Sequence, residues 1–292
     1  MKHAMIRCLG ALCAFSFAAT AGCADELDRL SLLDDLRVLT ILATPQEVVP
    51  GEQITLTPVV WAPPGTDVTA TWSVCPLTLG PDAGFACAVP ECEAELPAEA
   101  DGRLVTTPSE TLLACLETLA ASGAGEDVTE DAPESLEVAY RYDVVTGDGF
   151  ARTAYRRVAV WLEGEPPARN APPVIDRVEA RAVGDEAWTS IAELPAVPRG
   201  GELEVRVRLT EDSAERYPNA LGETVTEAPF TTCFATAGRF DADRASGLEA
   251  VNTWTAEELA PGDDAAEIWV VAHDGRGAAA VGGPFVVTIG VD

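Results

Sequence analysis

Two pairs of aspartates, Asp241 with Asp243 and Asp263 with Asp264, are the side chains best suited to hold an ion. If the chain between them folds as a sandwich, both loops lie at one pole. Four carboxylates there would offer hard oxygen ligands to Ca²⁺, the one cofactor the sequence suggests. The run from Asp241 to Gly247 is not an EF-hand loop, because its glycine comes one place late and no glutamate closes it. Cys75, Cys87, Cys92 and Cys115 carry a second chemistry. Their spacing lacks the paired C-x-x-C knuckles of structural zinc sites, so two disulfides are expected, with all three pairings open. Cys233 has no partner in its own half of the chain and is expected as a buried free thiol. General-base chemistry is scarce. His273 is the one histidine beyond the first 22 residues, and it ends an apolar run just before Asp274-Gly275, where a strand-end packing role is expected. A histidine cluster for zinc cannot be assembled, and a Ser-His-Asp triad would have one histidine to use. The motifs G-x-S-x-G, H-E-x-x-H and G-x-x-x-x-G-K-[ST] do not occur. No catalytic residue is therefore assigned.

The N-terminus has the form of an export signal. Lys2 and Arg7 make a positive start, Cys8 to Ala21 an apolar stretch, and small residues follow. The run Thr20-Ala21-Gly22-Cys23 resembles the lipobox of bacterial lipoproteins, with Thr20 where that family prefers Leu. The resemblance implies that residues 1–22 are a signal peptide and that Cys23 is acylated as the first mature residue. Residues 23–35 would then be a short tether. Ala24, where the family's inner-membrane retention rule has Asp, implies delivery to the outer membrane. A competing cut after Ala19-Thr20-Ala21 would release a soluble chain that keeps Cys23. The apolar run is shorter than the roughly 20 residues of a membrane-spanning helix.

Of the 292 residues, 19 are basic and 48 acidic, for a formal charge of −29. Without Lys2 and Arg7, 17 basic residues remain against the same 48 acids, a charge of −31, and every remaining base is arginine. So acidic a chain is repelled by nucleic acid and by anionic lipid surfaces. At 47% hydrophobic it is still globular, and about 270 residues suit two domains.

The body repeats one plan. Val49-Pro50-Gly51-Glu52 leads into Ile54, Leu56, Pro58 and Val60; Val197-Pro198-Arg199-Gly200-Gly201-Glu202 leads into Leu203, Val205, Val207 and Leu209. The second set alternates with Glu204, Arg206 and Arg208, the period of a half-buried strand. Strands are expected ahead of these at Arg37–Ala43 and Val174–Val183, and after them around Trp72 and Cys75 and over Thr231–Phe240. Each copy ends in a hairpin: Leu136–Val145 with Thr153–Leu162 across Thr146-Gly147-Asp148-Gly149, and Glu267–His273 with Phe285–Ile289 across Asp274-Gly275-Arg276-Gly277. Residues 165–173 form a Pro-rich, extended linker. It divides a first domain, 36–164, from a second, 174–292. Residues 76–135 are expected as an insertion in the first. Within them Thr107-Pro108-Ser109-Glu110 is a capping box, and Leu112, Leu113, Leu116, Leu119 and Ala120 share one face of a short helix.

Pro261-Gly262, Ile268-Trp269-Val270-Val271 and Asp274-Gly275-Arg276-Gly277 together resemble the E–F turn, F strand and F–G turn of bacterial immunoglobulin-like and PKD-like modules. The resemblance implies a mainly β chain of two Ig-like β-sandwich domains in tandem, the first with a disulfide-stapled insertion containing a short helix. It implies an adhesive or scaffolding role and no chemistry. The expected function is an exported, lipid-anchored, non-enzymatic binding or structural module of the cell envelope. It would touch the membrane through its lipid, and envelope proteins or glycans through its body. A carboxylate-based hydrolase or glycan-processing enzyme, which needs no histidine, is the alternative. A subunit of an envelope assembly is a second alternative.

Overall fold

The computed structural model describes residues 30–76, 78–108, 112, 114–115, 135–162, 166, 169–219, 222–256 and 264–290. The signal region, Cys23, Asp263 and most of the expected insertion helix lie outside this range.

Among the described residues the first half forms eight strands: β1 Arg37–Thr44, β2 Glu47–Val48, β3 Ile54–Trp61, β4 Val68–Cys75, β5 Ala94–Leu96, β6 Leu104–Thr106, β7 Ser135–Thr146 and β8 Ala151–Trp161. They make two sheets, ordered β1-β3-β6 and β2-β8-β7-β4-β5. The second half forms twelve: β9 Ile175–Ala182, β10 Thr189–Ser190, β11 Val197–Pro198, β12 Glu202–Leu209, β13 Arg216–Pro218, β14 Thr224–Thr226, β15 Phe230–Ala235, β16 Arg239–Phe240, β17 Ala245–Ser246, β18 Glu249–Thr255, β19 Ala265–His273 and β20 Ala279–Gly290. Its sheets run β10-β9-β12-β18-β16 and β11-β20-β19-β15-β17, with β13 and β14 as a separate hairpin arm. The halves share one topology. In each, the chain's first strand pairs antiparallel in one sheet and then crosses over as a two-residue strand. That short strand lies parallel to the last strand of the other sheet, β2 on β8 and β11 on β20. This strand order makes both halves Ig-like β-sandwiches.

Alternation in sequence becomes alternation in burial. Leu203, Val205, Val207 and Leu209 on β12 are buried, while Glu204, Arg206 and Arg208 point outward. Each core closes around a tryptophan whose indole N–H is satisfied: Trp72 donates to the Gly102 carbonyl at 3.0 Å, and Trp254 to that of Ala237 at 3.1 Å. Trp72 packs against Tyr142 with ring centroids 4.7 Å apart and planes tilted by 50°, among Ile54, Leu56 and Val158. Trp254 packs with Val205, Ile268 and Val270. Such pairing matters, because a buried indole left without an acceptor would cost about 1–3 kcal/mol.

Several expectations change in detail. The span 76–135 supplies two sandwich strands, β5 on β4 and β6 on β3, so part of the expected insertion belongs to the sheets. Of the expected helix, only Leu112, Ala114 and Cys115 are described, each with α-helical backbone, and the rest of it lies outside the described residues. The expected strand Thr231–Phe240 is two strands in opposite sheets. Gly238, at φ +79°, makes the turn between them; a Cβ there would lie 2.6 Å from the Trp254 indole nitrogen. Only glycine fits that approach.

Candidate binding surface

The four insertion cysteines pair in sequence order. Cys75–Cys87 and Cys92–Cys115 form, closing spans of 12 and 23 residues. Cys233 on β15 is a free thiol, 2% exposed, and burial pushes its pKa up to about 12. The first disulfide folds the loop after β4 back over the outer face of the β2-β8-β7-β4-β5 sheet. There the Phe85 ring packs, tilted by 42°, against Tyr155 at 5.0 Å, Tyr155 donates to the Gly84 carbonyl, and Ser73 donates to Glu93. The stapled loop thus covers part of that face.

Of the calcium candidates, Asp241, Asp243 and Asp264 fall among the described residues. Asp241 follows β16, its backbone N–H bonded to Thr253, while Asp264 accepts from Ile289 at the start of β19, in the opposite sheet. Asp243 is exposed, and Asp263 lies outside the described residues. No group of three or more Asp, Glu, His or Cys side chains suited to a metal forms among the described residues. His273 is half-buried and stacks on Phe230 at 4.7 Å.

Two further sheet faces are buried against each other. Leu39 and Leu42 of β1 and Val59 and Trp61 of β3 pack on Phe234 of β15, Trp269 and Val271 of β19, and Ala279 and Val281 of β20. Leu33 completes this cluster from the segment before β1. That segment is itself hydrogen-bonded to the second sandwich: Leu33 N–H donates to the Ala235 carbonyl, and Ala235 N–H to that of Ser31, both at 2.8 Å. The chain preceding the first sandwich is therefore an edge segment of the second.

A polar network flanks the apolar seam. Arg276, in the β19–β20 turn, donates to Glu47 of the first sandwich at 3.1 Å and to Glu227 at 3.3 Å, with Glu215 at 3.6 Å. Its guanidinium lies 4.3 Å from the ring of Tyr217 on the hairpin arm. Asp274, fully buried, accepts from the N–H groups of Arg276 and Gly277 and from the Asn170 side chain. The linker is clamped from both sides, by Arg169 to Glu52 and by Ala171 N–H to Glu215. The sequence marks this turn only as a hairpin loop; its part in joining the domains comes from distant residues.

The outer face of β10-β9-β12-β18-β16 stays open. Its β9 and β12 residues pair across the strands as Glu204 with Arg181, Arg206 with Glu179, and Arg208 with Arg177. Arg181 Nε meets Glu204 at 2.6 Å, while Nε and Nη2 of Arg206 meet one Glu179 oxygen at 3.0 and 2.8 Å. Arg208 reaches Glu249 on β18 at 2.9 Å. The Arg181–Glu204 and Arg208–Glu249 pairs are partly exposed and contribute at most about 1 kcal/mol each, while the Arg206–Glu179 side chains are 14% and 13% exposed; together they fix the charges in an array. Over that array lies Trp188, with Arg181 and Arg206 at 4.3 and 4.0 Å from its ring. Beside it opens a cleft of about 520 Å³ between the β9–β10 loop and the crossover Leu194–Pro198. Buried Ala180, Val197 and Leu203 form its apolar floor; Arg181, Asp185 and Glu202 are its charged groups. A fixed aromatic ring beside such a cleft is equipped to bind a ligand. Outward Arg206 and Arg208 are legible from alternation, but Trp188 sits in an irregular loop without periodicity.

No protein-family model and no curated protein matches the sequence. Among solved structures, the Clostridium thermocellum CbhA fibronectin(III)-like modules are 10% identical, covering 87% of this chain and 93% of theirs at a TM-score of 0.23. The Bacteroides ovatus mixed-linkage glucan utilization protein SGBP-B, solved with a mixed-linkage heptasaccharide, is 12% identical at 0.25. That match covers 88% of this chain, which spans about half (48%) of SGBP-B. The Yersinia pseudotuberculosis adhesin InvE is 11% identical at 0.23, covering 86% of this chain and 58% of InvE. At such TM-scores these likenesses bear on neither ligand nor role. The assignment of the fold rests on the strand order.

Proposed function

We propose that this chain is an exported, lipid-anchored, non-enzymatic binding module of the bacterial cell envelope. Its working surface is the open face of the second sandwich. The observation that carries the reading is Trp188, held over that face by Arg181 and Arg206 beside the 520 Å³ cleft. By contrast, the seam and the stapled loop occupy the other faces described above. A planar ring flanked by fixed charges suits a polar polymer with flat apolar patches, such as a glycan chain or an extended peptide of the envelope. The acidic body, the Cys23 run and the short tether support a tethered surface location.

Titration with soluble envelope glycan fragments and envelope peptides tests the binding site. Binding that weakens at least tenfold in Trp188→Ala supports it; unchanged binding, or no binder at millimolar concentration, removes it. Mass spectrometry of the mature N-terminus tests the anchor, and an unmodified chain starting at Gly22 would overturn it. The cleft also holds two carboxylates, Asp185 and Glu202, and a glycan hydrolase needs two, so the enzymatic alternative is tested there. Product release abolished by D185N or E202Q would install that alternative.

A further inference from the structure

The cleft beside Trp188 is walled by aliphatic side chains. Ala180, Ala182, Val183, Leu194, Val197 and Leu203 line it, and no aromatic ring does so among the described residues. Sugar hydroxyls set against such walls would give up water without gaining a partner, which disfavours a glycan inside the cleft.

The charges of the cleft are unbalanced. Arg181 lines it, but that guanidinium is already engaged by Glu204 at 2.6 Å, by the Glu186 carbonyl and by the ring of Trp188. Asp185 and Glu202 are exposed and form no ion pair among the described residues. Two uncompensated carboxylates thus stand over an apolar floor. The strands that border the cleft, β10 and β11, are each last in their sheets, paired on one side with β9 and β20. Thr189 of β10 and Val197 and Pro198 of β11 are among its lining residues. A sheet edge leaves backbone groups free to pair with an extended chain.

We propose that the cleft takes an extended peptide segment carrying a lysine or arginine among small or branched apolar side chains. This rests on the reading of the open face as the binding surface and names its ligand. A Lys or Arg side chain matches the cleft along its length. Its methylene stem lies against Ala180, Val183 and Leu203, and its cationic tip meets Asp185 and Glu202. The apolar neighbours fill the rest of the 520 Å³, a volume ordinary for a ligand site. The formal charge of −29 speeds encounter with a cationic partner.

Random heptapeptides displayed on phage and panned against the purified full chain test the proposal. A chain this acidic attracts any basic peptide, so the deciding comparison is the double variant D185N/E202Q, which removes two of 48 acids. Both side chains are exposed, and circular dichroism checks that the variant keeps its fold. Selected sequences should enrich Lys or Arg flanked by Ala, Val, Leu or Pro. A synthetic peptide of that sequence should bind the double variant at least tenfold more weakly than the parent. Replacing its Lys or Arg by Gln should weaken binding to the parent by a similar factor. No enrichment, enrichment of acidic sequences, or equal affinity for parent and double variant overturns the proposal. Glycan fragments whose binding weakens in Trp188→Ala, with no peptide selected, would overturn it and leave the binding face standing. Failure of both ligands removes both readings.

Discussion

Arg276 in the second sandwich donates to Glu47 in the first across 3.1 Å, and the same guanidinium satisfies Glu227, whose side chain is 1% exposed. One cation thus neutralises acids on both sides of the junction. Arg276→Met leaves Glu227 buried without it, and removal of one partner from a buried pair costs about 3 kcal/mol. The expected result in chemical denaturation is a lower midpoint and a split into two transitions as the domains uncouple. A single transition at the original midpoint would show that the network does not join them.

The apolar seam makes a parallel prediction. Leu33 is 1% exposed between the sheets, so Leu33→Ala should cost about 3 kcal/mol. Val271→Asp, which buries a charge in the same cluster, should open the junction and raise the radius of gyration in small-angle scattering. An unchanged radius would mean that the seam does not set the domain arrangement.

His273 makes the junction sensitive to acid. Burial against Phe230 holds its pKa below 6.5; Asp274 opposes this and Arg156 adds to it. The folded protein therefore binds fewer protons here than the unfolded chain. This contribution is fully present above pH 6.5 and is lost as pH falls through the lowered value. Glu227 works in the opposite sense, because burial raises its pKa, so its contribution is lost as pH rises. Melting temperatures at pH 7.5 and 5.5 should fall less on acidification in His273→Gln than in the parent. An equal fall in both would assign the effect to other groups.

Cys233 should resist alkylation. Its thiol is 2% exposed and its pKa is pushed up to about 12, so almost no thiolate meets the reagent at neutral pH. Iodoacetamide should leave it unmodified in the native protein and modify it in denaturant, as read by peptide mass. Native labelling at a comparable rate would mean that β15 opens readily.

The strands that were legible in the sequence bury one face of branched apolar residues, as β12 does. β18 was not, because its inward residues are Ala250, Asn252 and Trp254. Asn252 is buried because its amide exchanges two hydrogen bonds with the Ala242 backbone, a pairing that local pattern does not announce. β20 was expected from Phe285 but begins at Ala279. Its early part is rich in alanine and glycine, poor strand formers, yet Ala279 packs in the seam. A Cβ on Gly283 would lie 2.7 Å from the Ile268 carbonyl. The candidate surface was half visible: the arginines follow the alternation of β12, whereas Trp188 is placed by the loop leaving β9. The seam was invisible for a related reason. Its residues read as solvent-side positions of two separate sheets, and only their mutual packing makes them interior.

The pairing of Ser31–Leu33 with Ala235 also governs how the molecule bears load. A pull on the chain before Leu30, directed back along β15, stresses those two hydrogen bonds in shear, together, and does not peel them apart singly. Force entering at the N-terminus therefore reaches both sandwiches at the seam. The second sandwich need not hang from the first like the far link of a chain.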